Sequence, residues 1–346
     1  MLWKPVFNIL EGSFAVILVN PPHFRAVPGR KTDVRDCAWL AQLLEHGLLR
    51  ASFIPPQPIR ELRDLTRYRK LLIQQRVTEV NRIRKLLESA NLKLGLVATD
   101  ILGASGRAML QALRAGERDG ARLADLAKGT LRQKRAQLAA ALTGRFTAHH
   151  AALLGDLLDH IAFLDQAITR LNERVAGAAA PYAAAVARLQ TIPGVDRAGA
   201  ETIVAEIGVD MSRFPSAGHL ASWAGICPGN NESAGKRKTG KTRKGDRWLK
   251  PLLVECGWGA GRVRRSYLAA QYTRLARRRG KKKAALAVGH SILVAAYHVL
   301  RDGGDYRDLG PDHFDRLASD RLTRHYVQRL RQLGHAVTLA PAPSLA

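Results

Sequence analysis

The sequence predicts a mainly α-helical protein with a partial α/β unit near its start. Helical periodicity dominates after residue 57, and it is clearest in an apolar seam whose spacings alternate between three and four residues. The evidence for a strand is one run, Phe14–Asn20, which is apolar and β-branched as in a strand buried on both faces. The seam comprises Leu154, Leu157, Ile161, Leu164, Ile168, Leu171 and Val175.

Shifts in composition divide the chain into four regions. In the first, a basic loop leads into a helix predicted from Asp33 to about Leu49, with Thr32 as its N-cap. An alanine-rich hinge interrupted by Pro181 separates the second region from the third, which is predicted to be mostly helical. The last region is predicted to be an extension with a flexible tail. The regions are residues 1–56, 57–180, 186–300 and 301–346.

The second region is predicted to contain two long helices. The later one, from about Leu131 to Val175, carries the seam, and the glycine- and alanine-rich segment 95–130 before it is predicted to be partly helical. Together the helices form an antiparallel coiled-coil hairpin that is also a dimer interface, or a plain bundle within one chain; the pattern favours neither. The earlier helix, 59–94, places on a heptad frame Ile73, Val77, Val80, Leu87 and Leu94.

The charge balance points to a polyanionic partner. Among 346 residues, 55 Lys and Arg stand against 29 Asp and Glu, a net charge of +26 with a pI near 10.9, which favours nucleic acid. A membrane is not expected, since the most apolar run, Ala284–Leu300, is typical of a buried helix. No secretory signal is expected either, and the three well-separated cysteines fit a reducing cytoplasm without a disulfide framework or zinc site.

Three stretches could carry chemistry. Asp33 and Asp36 lie one helical turn apart, as carboxylate ligands of Mg²⁺ would, although acids at a helix start are more often there for the helix dipole. Thr191–Asp196 contains Pro193 and Gly194 in a turn between short helices, which resembles a helix-hairpin-helix that contacts phosphate; an ordinary helical corner is the alternative.

The third stretch, Cys227–Lys250, contains a literal Walker-A match from Gly235 to Thr242. We reject a P-loop here because Pro and Asn residues precede the match and Gly245 interrupts the helix that should follow it. What remains is Ser233, a hydroxyl that could attack a phosphodiester beside cations that stabilise the charge. Most serines near Gly and Asn are turn residues, so spacing alone supports this weakly.

The cations concentrate around that serine. Between Asn231 and Lys283, 18 Lys and Arg stand against three acids, a net charge of +15 out of +26. We expect these side chains to bind phosphates rather than to catalyse. The predicted nucleic-acid contacts, besides Pro193 and Gly194, are Lys236, Arg237, Lys238, Lys241, Arg243, Lys244, Arg277, Arg278, Arg279, Lys281, Lys282 and Lys283.

Several motifs together resemble the IS110 family of bacterial insertion-sequence transposases, and the resemblance covers nearly the whole chain. In the first half these are Trp3–Glu11, Val27–Asp36, Gln42–Leu49 and Phe53–Pro56. In the second half they are Ile192–Val195, Phe214–Ala217, Leu220–Gly225 and Asn230–Lys236.

The resemblance implies a RuvC-like (RNase H-like) N-terminal domain, a coiled-coil middle and a helical C-terminal transposase domain. It also implies that Asp33 and Asp36 match the last two acids of a DEDD set that binds Mg²⁺, and that Ser233 matches the serine that joins covalently to DNA. By the same likeness the partners are DNA, a structured guide RNA of the element and further copies of the chain. The dimer contact is then expected at the seam. The protein is expected in the bacterial cytoplasm, associated with DNA.

The chain departs from the family pattern at its start. The first Asp and the Glu of the DEDD set would precede Trp3, and Glu11 does not replace them by alignment. We therefore expect an N-terminally truncated copy that binds nucleic acid but recombines poorly. Two functions stay open: a transposase that cleaves and rejoins DNA strands, and a non-catalytic nucleic-acid-binding protein that keeps the basic C-terminal region.

Overall fold

A computed structural model describes residues 3–19, 36–49, 51–52, 54–229, 231–242, 244–317 and 319–340, with the backbone alone for 36, 231–233, 237 and 238. The chain forms two compact units, Met1–Arg60 and Glu61–Ala346.

The described residues are mainly helical, as predicted. The helices are α1 (Trp3–Leu10), α2 (Asp36–Glu45), α3 (Gln57–Ser89), α4 (Leu94–Val97), α5 (Ala104–Arg114), α6 (Gly120–Asp125), α7 (Arg135–Ala141), α8 (Ala148–Ala179), α9 (Ala183–Gln190), α10 (Arg197–Ile207), α11 (Ala217–Trp223), α12 (Leu249–Ala260), α13 (Tyr267–Arg279), α14 (Lys281–Asp302), α15 (His313–Arg316) and α16 (Ser319–Gln332); β1 (Asn231–Ser233) and β2 (Lys236–Thr239) pair antiparallel.

The first unit is held together around α1 by an aromatic and ionic cluster. The Phe7 ring lies edge-on to Trp3, with 5.6 Å between centroids, and the Arg60 guanidinium lies 5.1 Å above the same ring. Arg60 also donates two hydrogen bonds, of 2.8 and 2.9 Å, to the Glu11 carboxylate. These bonds lower the pKa of Glu11, so the pair stays ionised at neutral pH.

The prediction of a buried strand at Phe14–Asn20 is wrong for the residues that the structure describes. Only one isolated antiparallel bridge forms, between Val19 and Ala51, and the side chains of Phe14 and Ile17 are 66% and 45% exposed. A strand buried on both faces needs neighbouring strands and covering layers. No further strand lies beside this run within the described part of the first unit, so its apolar residues remain open to solvent.

The segment between the two long helices is more ordered than its composition suggests. Helices α4 to α7 fold into a small helical module against the end of α3 and the first half of α8, and leucines such as Leu110 and Leu123 are fully buried there. The helix predicted from Leu131 is interrupted after Ala141, because Gly144 packs directly on the Ala90 carbonyl. Helix α8 restarts with a capping box between Thr147 and His150.

The apolar seam lies on α8 and is used within the chain. Five of its residues are buried, and Leu164 and Leu171 pack against Leu72 of α3. Arg76 of α3 forms an ion pair with Asp165 of α8 beside this contact. The middle of the seam thus packs on α3 and its first part on the helical module, as in the alternative of packing within one chain. A dimer contact at the seam stays a prediction.

The predicted heptad frame holds only in part, since Leu87 and Leu94 are buried. Ile73 and Val77, which it placed in the core, are 38% and 52% exposed. The buried face of α3 also includes three polar side chains, Thr66, Arg69 and Glu79. A hydrophobic pattern cannot detect a helix face whose core positions are polar, and such residues are buried only when they have partners.

The partners of the α3 arginines lie on α10. Arg67 donates two hydrogen bonds, of 2.8 and 2.7 Å, to the fully buried carboxylate of Glu206, and Arg63 donates to the backbone carbonyls of residues 205 and 206 at 2.9 and 2.7 Å. Arg69 pairs with Glu201 at 2.9 Å. Burial alone would lower the pKa of Arg67, but the hydrogen bond and charge of Glu206 outweigh it and raise that pKa.

The C-terminal part of the second unit is a helical bundle built around α14. This helix packs against α9, α11, α12 and α13. The prediction of a buried apolar helix at Ala284–Leu300 is confirmed, since nine of its residues are buried. In the described part of the chain α14 is also the one helix long and apolar enough to cross a membrane, and it has the burial of a core helix. Two helices, α15 and α16, occupy the predicted C-terminal extension.

Helices α12 and α14 touch through two glycines. A Cβ atom on Gly257 would lie 2.3 Å from the Ala285 carbonyl oxygen, and one on Gly289 would lie 2.6 Å from the Leu253 carbonyl oxygen. Real Cβ contacts are never this short, so the two backbones can approach only where both positions are glycine.

We predict that Gly257→Ala destabilises the protein by roughly 1–3 kcal/mol, because the added methyl must push two helix backbones apart. Urea unfolding followed by circular dichroism measures this. The control is Gly177→Ala in α8, where nothing lies within 4 Å of the added atom. That change should stabilise by about 0.5–1 kcal/mol through helix propensity, so equal effects at both glycines would contradict the proposed close approach.

We also predict that Arg67→Met costs about 3 kcal/mol, because it leaves the buried Glu206 carboxylate short of its main partner. Adding Glu206→Met should recover most of that loss in chemical denaturation. The matched control is Arg114→Met, which removes a bidentate pair of 2.9 Å bonds to Asp159 whose members are 39% and 65% exposed. This exposed pair should matter far less, and a comparable loss would show that burial is not the deciding factor.

Candidate nucleic-acid interface

The basic stretch after α11 folds into a β-hairpin that carries Ser233 next to its turn. Asn231, Glu232 and Ser233 face Thr239, Arg237 and Lys236, with a bulge after Asn231. The two turn residues, Ala234 and Gly235, have positive φ angles of 50° and 73°. Two left-handed residues make the tight turn typical of two-residue hairpins. Ser233 is therefore the last residue of β1, directly beside a sharp reversal of the chain.

The two ends of the hairpin are held together by one close backbone contact, and a second contact joins the following segment to α11. A Cβ atom on Gly229 would lie 2.4 Å from the Lys241 carbonyl oxygen, and one on Gly245 would lie 2.2 Å from the Ala224 carbonyl oxygen at the end of α11. Asp246 then starts α12 by accepting hydrogen bonds from the backbone N–H groups of Trp248 and Leu249, at 2.8 and 2.7 Å. Ser233 thus lies on a loop that is anchored at both ends.

The hairpin geometry agrees with the rejection of a P-loop. In a P-loop a helix begins at the Lys-Thr pair, but here Lys241 and Thr242 follow β2 and no helix begins before Leu249. The match is therefore a product of basic, glycine-rich composition.

The predicted phosphate-binding cations of the hairpin are placed on its surface where the structure describes them. Lys236, Lys241 and Lys244 are exposed, and none of them forms an ion pair with a described residue. Arg243 and the side chains of Arg237 and Lys238 lie outside the described part. The exposed lysines contribute nothing visible to the fold and remain available to a ligand.

A second group of predicted cations forms a basic corner between α13 and α14. Arg277, Arg278 and Arg279 occupy the last turn of α13, where cations complement the helix dipole. Lys281, Lys282 and Lys283 occupy the first turn of α14, where they oppose it. All six are exposed, and none has an acidic partner among the described residues. Three lysines at a helix N-terminus cost stability, so their presence needs a reason other than folding.

The turn at Thr191–Asp196 joins α9 and α10, as expected for a motif between two short helices. Gly194 has a φ of 89°, and a Cβ atom there would lie 2.4 Å from the Cys256 carbonyl oxygen of α12. Packing on α12 thus explains this glycine without a phosphate. The N-terminus of α10 is capped by the Asp196 carboxylate, which accepts from Gly199 N–H at 2.7 Å. Phosphate contact by Pro193 and Gly194 stays a prediction. The close packing on α12 supports the alternative, an ordinary turn between two helices.

The described cysteines of the second unit are poor nucleophiles. Burial, together with the charges of Asp196 and Glu255, raises the pKa of Cys256 to about 12. Burial also raises the pKa of Cys227. Both thiols therefore stay protonated at neutral pH. Neither thiol is therefore a candidate nucleophile at neutral pH.

The predicted metal ligands, Asp33 and Asp36, have side chains outside the part of the chain that the structure describes. Asp33 lies outside that part, and Asp36 is the first residue of α2, with its backbone alone described. No cluster of three or more His, Cys, Asp or Glu side chains occurs among the described residues. Asp36 belongs to the first compact unit and Ser233 to the second.

Comparison with known proteins identifies the family. A model described as the transposase IS116/IS110/IS902 family matches residues 186–273, and an IS110 DEDD model described as a transposase matches residues 2–92. The chain belongs to this family of transposases. The resemblance seen in the sequence motifs is therefore confirmed. The second match includes Asp33 and Asp36, and the first includes the hairpin with Ser233.

Two curated relatives of this transposase-family chain come from Sinorhizobium fredii (strain NBRC 101917 / NGR234). "Putative transposase y4qE" is 28% identical over 248 residues, which cover 70% of this chain and 52% of the relative. "Putative transposase y4pF/y4sB" is 31% identical over 127 residues, which cover 35% and 32%. The matches thus span about half or less of the relatives' lengths.

Three exposed arginines in the transposase-family segment were not singled out from the sequence: Arg262, Arg264 and Arg265, between α12 and α13. A sequence signal for them exists, since no acidic residue lies between Glu255 and Asp302. Simple counting hides them within the larger basic stretch.

We predict that Ala234→Gly stabilises the hairpin that carries Ser233, because alanine in a left-handed conformation costs about 1 kcal/mol or more. Hydrogen exchange of the hairpin amides should slow roughly fivefold. The converse substitution at the next residue, Gly235→Ala, places a side chain at a φ of 73°. It should speed hydrogen exchange of the hairpin amides. Unchanged exchange in both variants would show that the turn lacks two left-handed residues.

Proposed function

We propose that this chain acts in DNA transposition, by binding nucleic acid through its basic second unit and breaking and rejoining DNA strands at Ser233. The observation that carries the proposal is the place of Ser233, beside the tight turn of an anchored hairpin whose described lysines are exposed and unpaired. Family membership suggests the class of reaction, DNA transposition. The positive charge near Ser233 would stabilise the phosphate during that reaction.

In the proposed step the Ser233 hydroxyl attacks a phosphodiester phosphorus. The Oγ–P bond forms and the bond from phosphorus to the leaving sugar oxygen breaks; the serine proton goes to solvent, and the sugar oxygen takes a proton. Negative charge grows on the phosphate oxygens as the fifth bond forms. Lys236, which pairs with Ser233 across the hairpin, would stabilise that charge. A hydroxyl of a second strand reverses the step and joins the new ends.

Family likeness extends the proposal further than the geometry does. It implies that Asp33 and Asp36 hold Mg²⁺, whose role would be to polarise phosphate oxygens, and that the partners include a structured RNA and further copies of the chain. No step described above depends on the metal. Within one chain α3 already covers Leu164 and Leu171 of the seam.

The alternative is a non-catalytic nucleic-acid-binding protein, which would use the same cations without the serine. Cations alone cannot separate the two functions, because exposed lysines and arginines bind phosphate in either case. The discriminating property is a covalent bond at Ser233.

We predict that Ser233→Ala abolishes a covalent protein–DNA adduct and leaves the DNA dissociation constant within about twofold, since neutral hydroxyls contribute little to phosphate binding. Labelled DNA from the element's own ends is incubated with its RNA and Mg²⁺, and adducts are resolved on a denaturing gel. Ser222→Ala, at an exposed serine of α11, is the control and should keep the adduct. DNA binding without any adduct in the parent chain would favour the non-catalytic alternative.

A further inference from the structure

The loop between α12 and α13 presents three arginines that the fold does not use. Arg262, Arg264 and Arg265 are exposed, and none of their guanidinium groups forms an ion pair or hydrogen bond with a described residue. Arginine at a surface usually finds a carboxylate when the fold uses its charge, as Arg114 does with Asp159. These three have no such role.

The backbone at Arg265 argues that the side chain itself is needed. Its φ of 59° is left-handed, a conformation that costs a non-glycine residue about 1 kcal/mol or more. Glycine would suit the turn better, as it does at Gly280 on the other side of α13, where φ is 83°. A non-glycine residue kept at a position where glycine would be more stable indicates a functional role for its side chain.

The loop is nevertheless held firmly in place. Ser266 is buried and caps α13, accepting from Ala269 N–H at 3.2 Å and donating to the Val263 carbonyl at 3.1 Å. The arginines therefore project from a fixed turn. A preorganised set of cations loses less entropy on binding than a set on a slack loop.

Local charge identifies the kind of ligand. Ten Lys and Arg lie between Arg262 and Lys283 without one acid. Guanidinium groups form two parallel hydrogen bonds with phosphate, which makes arginine the preferred side chain for a fixed phosphate contact. A second copy of this chain would bring its own +26 charge against the loop, so it is disfavoured as the partner.

The loop and the basic corner lie at opposite ends of α13. This helix has 13 residues, so its ends are roughly 18 Å apart. That length corresponds to about five phosphates of one strand of a duplex. Between the ends the exposed residues Thr273, Arg274, Arg277 and Arg278 follow one stripe of the helix.

We propose that the Arg262–Arg265 loop binds the sugar-phosphate backbone of DNA, as the second anchor of a strand that runs along α13 to the basic corner. The inference rests on the proposed function and adds a binding element that the sequence motifs did not reveal. Phosphate contacts of this kind set position and affinity, not sequence preference.

The decisive variant is Arg265→Gly, because it removes the cation and relieves the backbone strain together. Thermal unfolding should show a melting temperature equal to or above that of the parent chain. Fluorescence anisotropy with a labelled 30-base-pair duplex, over a salt series, should show weaker binding and a slope of log K against log salt smaller by about 0.9. The double variant Arg262→Gln/Arg264→Gln should lower the slope by about twice as much.

Two further variants separate this inference from the proposed function. Arg170→Gln, at an exposed arginine of α8, is the control and should leave the slope unchanged. Lys281→Gln/Lys282→Gln/Lys283→Gln tests the basic corner on its own. If the corner variant lowers the slope of log K against log salt while the loop variants leave it unchanged, the loop inference is wrong and the proposed function stands. If the parent chain shows no salt-dependent DNA binding, both are wrong.

An anionic membrane is the remaining source of phosphate. Vesicles of phosphatidylserine and phosphatidylcholine are therefore titrated in parallel with the duplex. Vesicle binding that the loop variants abolish, with duplex binding unchanged, would overturn the assignment to DNA.

Discussion

The second unit depends on a row of buried and partly buried arginines on one helix that pair with buried carboxylates on another. Arg67 and Arg69 of α3 meet Glu206 and Glu201 of α10, and both acids have almost no exposure. A charge without its partner is very costly inside a protein, whereas a paired and hydrogen-bonded one is tolerated. The observed placement of α3 on α10 satisfies these groups. The pairing thus selects an arrangement more than it adds net stability.

That placement extends to the loop that carries Ser233. Arg67 also approaches Asp246, at 3.6 Å, and lies 5.7 Å from the centre of the Trp248 ring. Asp246 in turn starts α12, and α12 is pressed onto α14 through Gly257. The base of the hairpin is therefore connected to the core by groups that cannot shift independently. In the proposed function, such support would help the Ser233 hydroxyl to meet a phosphorus atom within a fraction of an ångström.

The cations divide into two classes with different physical roles. Buried arginines are matched by acids and define the fold, while the surface cations of the hairpin, the basic corner and the Arg262–Arg265 loop have no acidic partner among the described residues. Several of these surface groups lower stability, as the lysines at the start of α14 do against the helix dipole. Proteins commonly accept such costs at functional sites. These unpaired cations are the groups on which the proposed contacts with a polyanion rest.

The sequence alone determined the mainly helical class, the seam on α8, the buried α14 and the family. These features rest on local periodicity, apolar composition and motifs of contiguous residues, which need no knowledge of distant parts of the chain. It also pointed to Ser233, but the hairpin that carries this serine was not predicted, because the third region was expected to be mostly helical. The catalytic and metal-binding roles that the sequence resemblance implies for Ser233, Asp33 and Asp36 remain proposals.

Only the tertiary structure decided the face of α3, because Thr66, Arg69 and Glu79 are buried through partners that lie far away in sequence. It decided the partner of the seam for the same reason, since a heptad pattern does not distinguish a helix of the same chain from one of another copy. It also showed that Gly194 packs on α12, and that Arg265 holds a left-handed turn. Long-range pairing and backbone conformation carry no local signature that residue types alone reveal.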